Sequence, residues 1–89
     1  MLRLSKGFYI PKKSVSFVGT KDTKDIRDKV NRLKKEGNFI DVTKGKKTKS
    51  IIFYTDAAGN QYGVETPLAV ETIIGKMSNG KDDDNYEEE

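Results

Sequence analysis

The stretch "IDVTKGKKTKSII", residues 40–52, joins two apolar segments through a turn that carries four lysines around one glycine. The β-branched and aromatic residues of "NFIDV" (38–42) and "SIIFYT" (50–55) favour two β-strands. Residues 43–49, here called the lysine loop, then form the connecting turn, and Gly45 supplies the backbone freedom that such a turn needs. The stretch therefore predicts a buried pair of strands that holds the lysine loop out into solvent.

Apolar alternation in the rest of the chain predicts two further hairpins. The segments "GFYI" (7–10) and "SVSFV" (14–18) flank a short turn that carries Lys13, and the alternation of apolar residues with serine is typical of a half-buried strand. The segment "DAAGN" (56–60) is typical of a turn between "SIIFYT" and a following strand, "QYGVE" (61–65). Most of the sheet is thus expected to be antiparallel.

Apolar residues at helical spacing predict two amphipathic helices. The first spans residues 22–36, with Asp22 or Thr23 as its cap and an outer face crowded with lysine and arginine. The second begins with Thr66 as cap and Pro67 at the first helical position. Its apolar stripe consists of Val70, Ile73, Ile74 and Met77.

These elements predict a small single domain of the α+β class, built from antiparallel β-hairpins and two α-helices. A chain of 89 residues that is 34% hydrophobic and 35% charged buries only a thin core, and such domains often gain stability by oligomerising. We expect the domain to span residues 1–79 and a disordered acidic tail to span 80–89, because no apolar periodicity follows Asn79. The tail acts either as a competitor for the basic surface or as a solubilising end.

Net charge is divided unevenly along the chain. The formal charge is +3, but residues 81–89 hold six acidic residues and one lysine, whereas residues 1–80 carry 16 basic and 8 acidic side chains. A body this basic favours a polyanionic partner, and nucleic acid is the commonest one. The alternative is a lysine-rich surface that only keeps the protein soluble.

Catalytic chemistry finds little support in the sequence. Histidine and cysteine are absent, so the serines have no imidazole to activate them. The segment "GKKTKS" has Lys47 where a P-loop has Ser or Thr, and Ile40 stands where the leading glycine would be. The acidic tail lacks the glycine turn of a calcium loop. We therefore expect no enzyme activity, no cofactor and no metal site.

Membrane association is not expected either. No apolar stretch approaches the roughly 20 residues that span a bilayer, and the amino terminus lacks the long apolar centre of a signal peptide. With its basic body, the protein is expected to be cytoplasmic and associated with the nucleoid.

The lysine loop is the predicted phosphate-binding element. Lysines this close repel one another, an anionic ligand relieves that repulsion, and each neutralised phosphate releases counterions. The Thr48 hydroxyl and the backbone amides of the loop are expected to add hydrogen bonds to phosphate oxygens. Lysine lacks the planar fork with which arginine reads bases, so the pattern predicts sequence-tolerant binding.

The sequence also resembles a known family. The stretch "KKEGNFIDVTKGKKTKSII" (34–52) is similar to the central signature of the RemA family of small bacterial DNA-binding regulators. In that signature a helix ends at a lysine- or arginine-glycine pair, and an "ID-A/V-T" strand leads into a "GRRTR" turn. The segments "KGFYIPKKSVSFV" (6–18) and "ETPLAVETIIGKM" (65–77) resemble the family's opening hairpin and closing helix. The similarity is collinear over roughly residues 4–77.

This resemblance implies a partner, an assembly and a set of contacts. Members of the family form rings whose rim presents repeated basic turns to double-stranded DNA, and some activate genes for extracellular matrix and osmotic protection. By position, the arginines of "GRRTR" fall on Lys46, Lys47 and Lys49, and an arginine of the first hairpin falls on Lys13. With the other residues of the loop, the predicted DNA-binding set is Lys13, Lys44, Lys46, Lys47, Thr48 and Lys49. A bacterial and a phage origin both stay open.

The predicted function is thus a DNA-binding transcriptional regulator or architectural protein that acts as a homo-oligomer. Two alternatives stay open. One is a protein-interaction module, an inhibitor or adaptor whose basic face docks an acidic partner. The other is an RNA-binding protein, for which Phe8, Tyr9, Phe53, Tyr54 and Tyr62 would need to be exposed for base stacking.

Overall fold

The protein has three layers. A larger β-sheet forms the middle layer, one helix covers one of its faces, and a β-hairpin with a second helix covers the other. The computed structural model describes residues 1–78, and the predicted domain boundary and acidic tail lie outside these residues. In chain order the elements are β1 (Leu2–Ser5), β2 (Phe8–Ile10), a 3₁₀ turn (Lys12–Ser14), β3 (Val15–Gly19), α1 (Lys24–Lys35), β4 (Phe39–Asp41), β5 (Ser50–Thr55), β6 (Gln61–Thr66) and α2 (Val70–Ser78). The predicted α+β class is confirmed.

The larger sheet has the strand order β3–β5–β6–β4. β5 is antiparallel to both of its neighbours, and it joins β6 through the turn at 56–60, as predicted. β4 pairs with β6 in parallel, with Phe39 opposite Gly63 and Asp41 opposite Glu65. The lysine loop connects β4 to β5, so it crosses the end of β6 instead of closing a hairpin.

The predicted pairing of "NFIDV" with "SIIFYT" is therefore wrong. β5 buries the four consecutive residues Ser50, Ile51, Ile52 and Phe53, so both of its faces are covered. Burial on both faces is typical of a central strand with two neighbours. The short β5–β6 turn brings β6 to one side of β5 and β3 takes the other, and β4 pairs with the outer edge of β6.

The predicted pairing of "GFYI" with "SVSFV" is also wrong. β2 pairs with β1 in a separate two-stranded sheet. The signal for β1 is the alternation of Leu2 and Leu4 with polar residues, and both leucines are buried. Between β2 and β3, the Ser14 N–H donates to the Pro11 carbonyl at 3.0 Å and closes the 3₁₀ turn, which leads the chain into the larger sheet.

Each face of the larger sheet carries a hydrophobic cluster. On one face, α1 packs Val30 and Leu33 against Ile51 and Phe53 of β5. On the other face, the β1–β2 hairpin and α2 cover Ile52 and its neighbours. That second cluster consists of Leu2, Leu4, Ile10, Val42, Ile52, Val64 and Ile73. Because successive side chains of a strand point to opposite faces, β5 contributes to both clusters and forms the centre of the fold.

The two helices differ in how well the sequence predicts them. α1 begins after Thr23, whose hydroxyl accepts a hydrogen bond from the Ile26 N–H at 3.3 Å, so the predicted cap is confirmed. The predicted start of the second helix is wrong, because Thr66 is the last, fully buried residue of β6 and α2 begins at Val70. The Thr66 hydroxyl instead accepts from the Leu68 N–H at 3.2 Å, within the connection to α2.

Gly63 provides a test of this packing. A Cβ at residue 63 would lie 2.7 Å from Phe39 Cδ1 and 3.1 Å from Leu33 Cδ1, so a side chain there displaces the ring that covers the glycine. We expect Gly63→Ala to lower the free energy of unfolding by about 1–3 kcal/mol through overpacking, measured by urea denaturation.

Gly75→Ala is the matched control, because a Cβ there meets nothing within 4 Å. In the middle of α2 it should instead stabilise by about 0.5–1 kcal/mol. Equal effects of the two substitutions would contradict the packing described.

Candidate nucleic-acid interface

Both ends of the lysine loop are hydrogen-bonded to the end of β6. At its entry, the Val42 N–H donates to the Glu65 carbonyl at 3.0 Å. At its exit, the Lys49 N–H donates to the Thr66 carbonyl at 2.9 Å. The loop is therefore fixed at two adjacent backbone positions of one strand, which restricts how its backbone can move.

The first half of the loop is held by Asp41. Its carboxylate oxygen Oδ1 accepts from the Thr43 N–H at 2.8 Å and from the Thr43 hydroxyl at 2.6 Å. These hydrogen bonds hold the pKa of Asp41 below its ordinary value of 3.8, and the positive charge of Lys34 acts in the same direction. Thr43 itself is buried, so the loop leaves the sheet in a defined direction.

A tight turn follows at residues 43–46. The Lys46 N–H donates to the Thr43 carbonyl at 3.0 Å, and Lys44 and Gly45 have φ angles of 54° and 86°. Two successive positive φ angles are typical of a type I′ turn. Lys44 is the one residue other than glycine with a positive φ in the described part of the chain. The left-handed conformation costs such a residue roughly 1–2 kcal/mol.

The second half of the loop is held by Glu65. The Thr48 hydroxyl donates to Glu65 Oε1 at 2.8 Å. The same oxygen lies 3.9 Å from the Lys21 ammonium nitrogen. The Glu65 side chain is only 15% exposed, so this carboxylate lies beneath the loop. One acidic residue of β6 thus contacts both the lysine loop and the connection between β3 and α1.

The structure brings most of the predicted binding residues together. The lysines at positions 44, 46, 47 and 49 are all exposed on this one loop. Thr48 is half-buried, and its hydroxyl proton is committed to Glu65. A phosphate that approaches the loop therefore meets ammonium groups on a backbone that is already ordered. Binding of phosphate by these residues stays a prediction.

Lys13 lies at the other end of the larger sheet. It belongs to the 3₁₀ turn that precedes β3, and Val15 at the start of β3 pairs with Tyr54 near the end of β5. The lysine loop instead ends at Lys49, directly before β5 begins. At about 3.3 Å per residue, the length of β5 separates the two positions by roughly 16 Å. Within this chain, Lys13 is not part of the lysine cluster.

The partners of three supporting residues of the site, Asp41, Glu65 and Lys21, were not predicted from the sequence. Asp41 carries a detectable signal, because an Asp two residues before a Thr commonly forms a hydrogen-bonded turn with it. Glu65 has no local signal, since it is 17 positions from its partner Thr48. Lys21 is missed for the same reason, because Glu65 comes close to it only through the pairings of β5 with both β3 and β6.

The described residues carry no sign of a metal site or a membrane span. Within residues 1–78, no group of three or more His, Cys, Asp or Glu side chains is arranged to hold a metal ion. The helices of this part of the chain are too short and too polar to cross a membrane.

These observations define a class of protein, a small α+β domain that presents a fixed basic loop at one end of its larger sheet. A model of the RemA-like family, described as Extracellular matrix regulatory protein A-like, matches residues 1–77. The chain therefore belongs to the RemA-like family, and the resemblance found in the sequence is confirmed. Membership suggests a regulatory role, and this regulatory family is not a known enzyme family. A comparison with curated proteins finds no match.

The role of Asp41 can be tested by the pH dependence of stability. Because the pKa of Asp41 is lowered in the folded state, its carboxylate stabilises the fold fully above its ordinary value of 3.8, and this contribution is lost as the pH falls through the lowered pKa. We expect Asp41→Asn to lower the melting temperature at neutral pH, and the difference from the unsubstituted protein to shrink below pH 3.8. Asp56, whose pKa is also lowered, is present in both proteins and cancels in this comparison. A difference that does not change with pH would contradict the assigned role.

Proposed function

We propose that the protein is a sequence-tolerant DNA-binding regulator or architectural protein that contacts the phosphate backbone through the lysine loop. The observation that carries this proposal is the presence of four exposed lysines on one loop whose two ends are hydrogen-bonded to β6. Membership of the RemA-like family is consistent with this proposal, because the description of that family names a regulatory protein. The proposed partner is double-stranded DNA.

The geometry of the loop favours phosphate over base recognition. A lysine ammonium is a compact point charge that approaches phosphate well but reads base edges less sharply than arginine does. Because the loop is anchored before it meets a ligand, little backbone entropy is lost on binding. The described residues carry 16 lysines and arginines against 8 acidic residues, which adds long-range attraction for a polyanion.

Lys13 enters the proposal as a separate contact. At roughly 16 Å from the lysine loop along β5, it is too distant to share a phosphate with Lys46 or Lys47. It would contact another part of the duplex. This arrangement is compatible with a duplex that passes over a broad surface and touches each basic position once.

The aromatic residues support DNA over RNA. Base stacking requires free ring faces, but Phe53 is only 2% exposed and its ring lies 5.4 Å from that of Phe17. Tyr54 and Tyr62 stack on each other with ring centroids 5.4 Å apart. Phe8 also packs against the second hydrophobic cluster, so four of the five rings that the RNA-binding alternative needs are engaged within the fold.

The lysine loop is tested by replacing its central pair. Lys46→Ala with Lys47→Ala should weaken binding about equally across DNA sequences. It should also reduce the slope of log affinity against log salt by about 1.8 units, since each lost phosphate contact removes about 0.9. The measurement is a titration of duplex DNA, single-stranded DNA and RNA at several salt concentrations.

The matched control is the double variant Lys6→Ala with Lys35→Ala, which removes the same charge from two exposed positions on other elements. It should leave the slope unchanged. Equal slopes for both double variants would refute the assignment of the loop. If the unsubstituted protein bound no nucleic acid but did bind an acidic protein, the interaction-module alternative would replace this proposal.

We further propose that the protein acts as a homo-oligomer. Members of the family that the sequence resembles form rings. A single protomer with a few phosphate contacts binds DNA weakly at physiological salt, whereas linked copies raise the effective concentration of each next contact. Ile74 of α2 is the one large hydrophobic side chain among the described residues that is exposed, at 48%. We therefore choose Ile74 as the position at which to test contact with a second copy.

The assembly is tested by a mass measurement. Light scattering at high micromolar concentration should give a mass that is a multiple of the 10.0 kDa chain. Ile74→Asp should lower that mass, because it adds a charge to the proposed contact while removing an apolar group that is already half in solvent. A monomeric unsubstituted protein would overturn the proposed assembly without affecting the assignment of the lysine loop.

A further inference from the structure

A cleft lies beside the lysine loop, between the β3–α1 connection and the last residues of the loop. Its volume is about 240 Å³. Thr20 and Lys21 line it on the side of the β3–α1 connection, and Thr48, Lys49 and Ser50 line it on the side of the loop. Two lysines from distant parts of the sequence therefore border a single opening.

The Lys21 ammonium is available for a second anion. Its contact with Glu65 Oε1 is long, at 3.9 Å, and its side chain is 43% exposed. An ammonium has three donors, and one contact at this distance leaves at least two of them for another ligand. Lys49 is exposed on the opposite wall of the cleft.

The backbone of both walls is held in position. The Arg27 guanidinium donates from Nη1 to the Lys21 carbonyl at 2.9 Å and to the Asp22 carbonyl at 3.1 Å. These bonds fix the β3–α1 connection and add a positive charge near the cleft. On the other wall, the bond from the Lys49 N–H to Thr66 fixes the exit of the loop.

The carboxylates near the cleft are engaged with groups of the protein itself. Asp22, which also lines the cleft, accepts a hydrogen bond from the Thr20 hydroxyl at 2.8 Å. Glu65 accepts from the Thr48 hydroxyl and faces Lys21. Glu65 thus lies between the two walls, where it is hydrogen-bonded to Thr48 and faces the Lys21 ammonium at 3.9 Å.

We propose that this cleft receives a phosphate group of the nucleic-acid backbone, which Lys21 and Lys49 contact from opposite walls. The inference rests on the proposed function and extends it, since it continues the DNA-binding surface from the lysine loop onto the start of α1. It also assigns a phosphate contact to Lys21, which lies outside the "GKKTK" segment.

The test compares single and double variants by their salt dependence on duplex DNA. Lys21→Ala and Lys49→Ala should each weaken binding, and the two together should reduce the slope by about 0.9, the value for one shared phosphate. Lys21→Arg should restore binding because it keeps the charge. Lys35→Ala, which removes one exposed charge near the other end of α1, should behave as the unsubstituted protein. A urea denaturation midpoint for each variant excludes a loss of folding.

Two results would overturn the inference. One is a Lys21→Ala variant that binds like Lys35→Ala. The other is a combined slope change of about 1.8, the value for two separate phosphates. Failure of the proposed function is distinguishable from both, because the unsubstituted protein would then bind no duplex DNA at all. If it binds through Lys46 and Lys47 but does not respond to Lys21→Ala, only the cleft assignment fails.

Discussion

The burial of β5 on both faces is the constraint from which the rest of the structure follows. A strand that packs Ile51 and Phe53 on α1 and Ile52 on the opposite cluster must have a neighbour on each side. β3 and β6 take those positions, which leaves β4 at the outside of the sheet, where it pairs with the outer edge of β6. The connection from β4 to β5 must then cross β6, and this crossing is what stretches the lysine loop over the end of the sheet.

The crossing also explains why the loop is ordered. A hairpin tip would be tied only to the two strands that flank it, whereas this loop passes over a third strand and bonds to it. The backbone of β6 anchors both ends, and the Glu65 carboxylate contacts Thr48 from below. That carboxylate also places a negative charge between Lys21 and the loop, which reduces the repulsion among lysines at close range. Order and charge balance thus come from the same residue.

The sequence predicts the local features of this site and misses the non-local ones. Three local features each depend on a few adjacent residues, and the structure contains all of them: the cap at Thr23, the turn at 56–60 and the cluster of lysines around Gly45. The parallel pairing of β4 with β6 joins residues that are more than 20 positions apart, and no local pattern encodes it. The wrong prediction of where the second helix begins has the same origin. Thr66 followed by proline has the pattern of a helix cap, but Thr66 is buried as the last residue of β6.

The conformation of Lys44 bears on what kind of ligand the loop suits. A lysine with a φ of 54° is strained, and such strain persists only where the surrounding structure over-determines the backbone. Here the bonds of Thr43 to Asp41 and of Lys46 to Thr43 do so. The strained turn fixes the backbone that carries the ammonium groups, but a lysine side chain remains long and flexible beyond it. A surface of this kind can match the spacing of phosphates without matching the edges of particular bases. Under the proposed function, the affinity of the protein for DNA would depend on how many phosphates are met at once, and therefore on how many copies of the loop one duplex can reach.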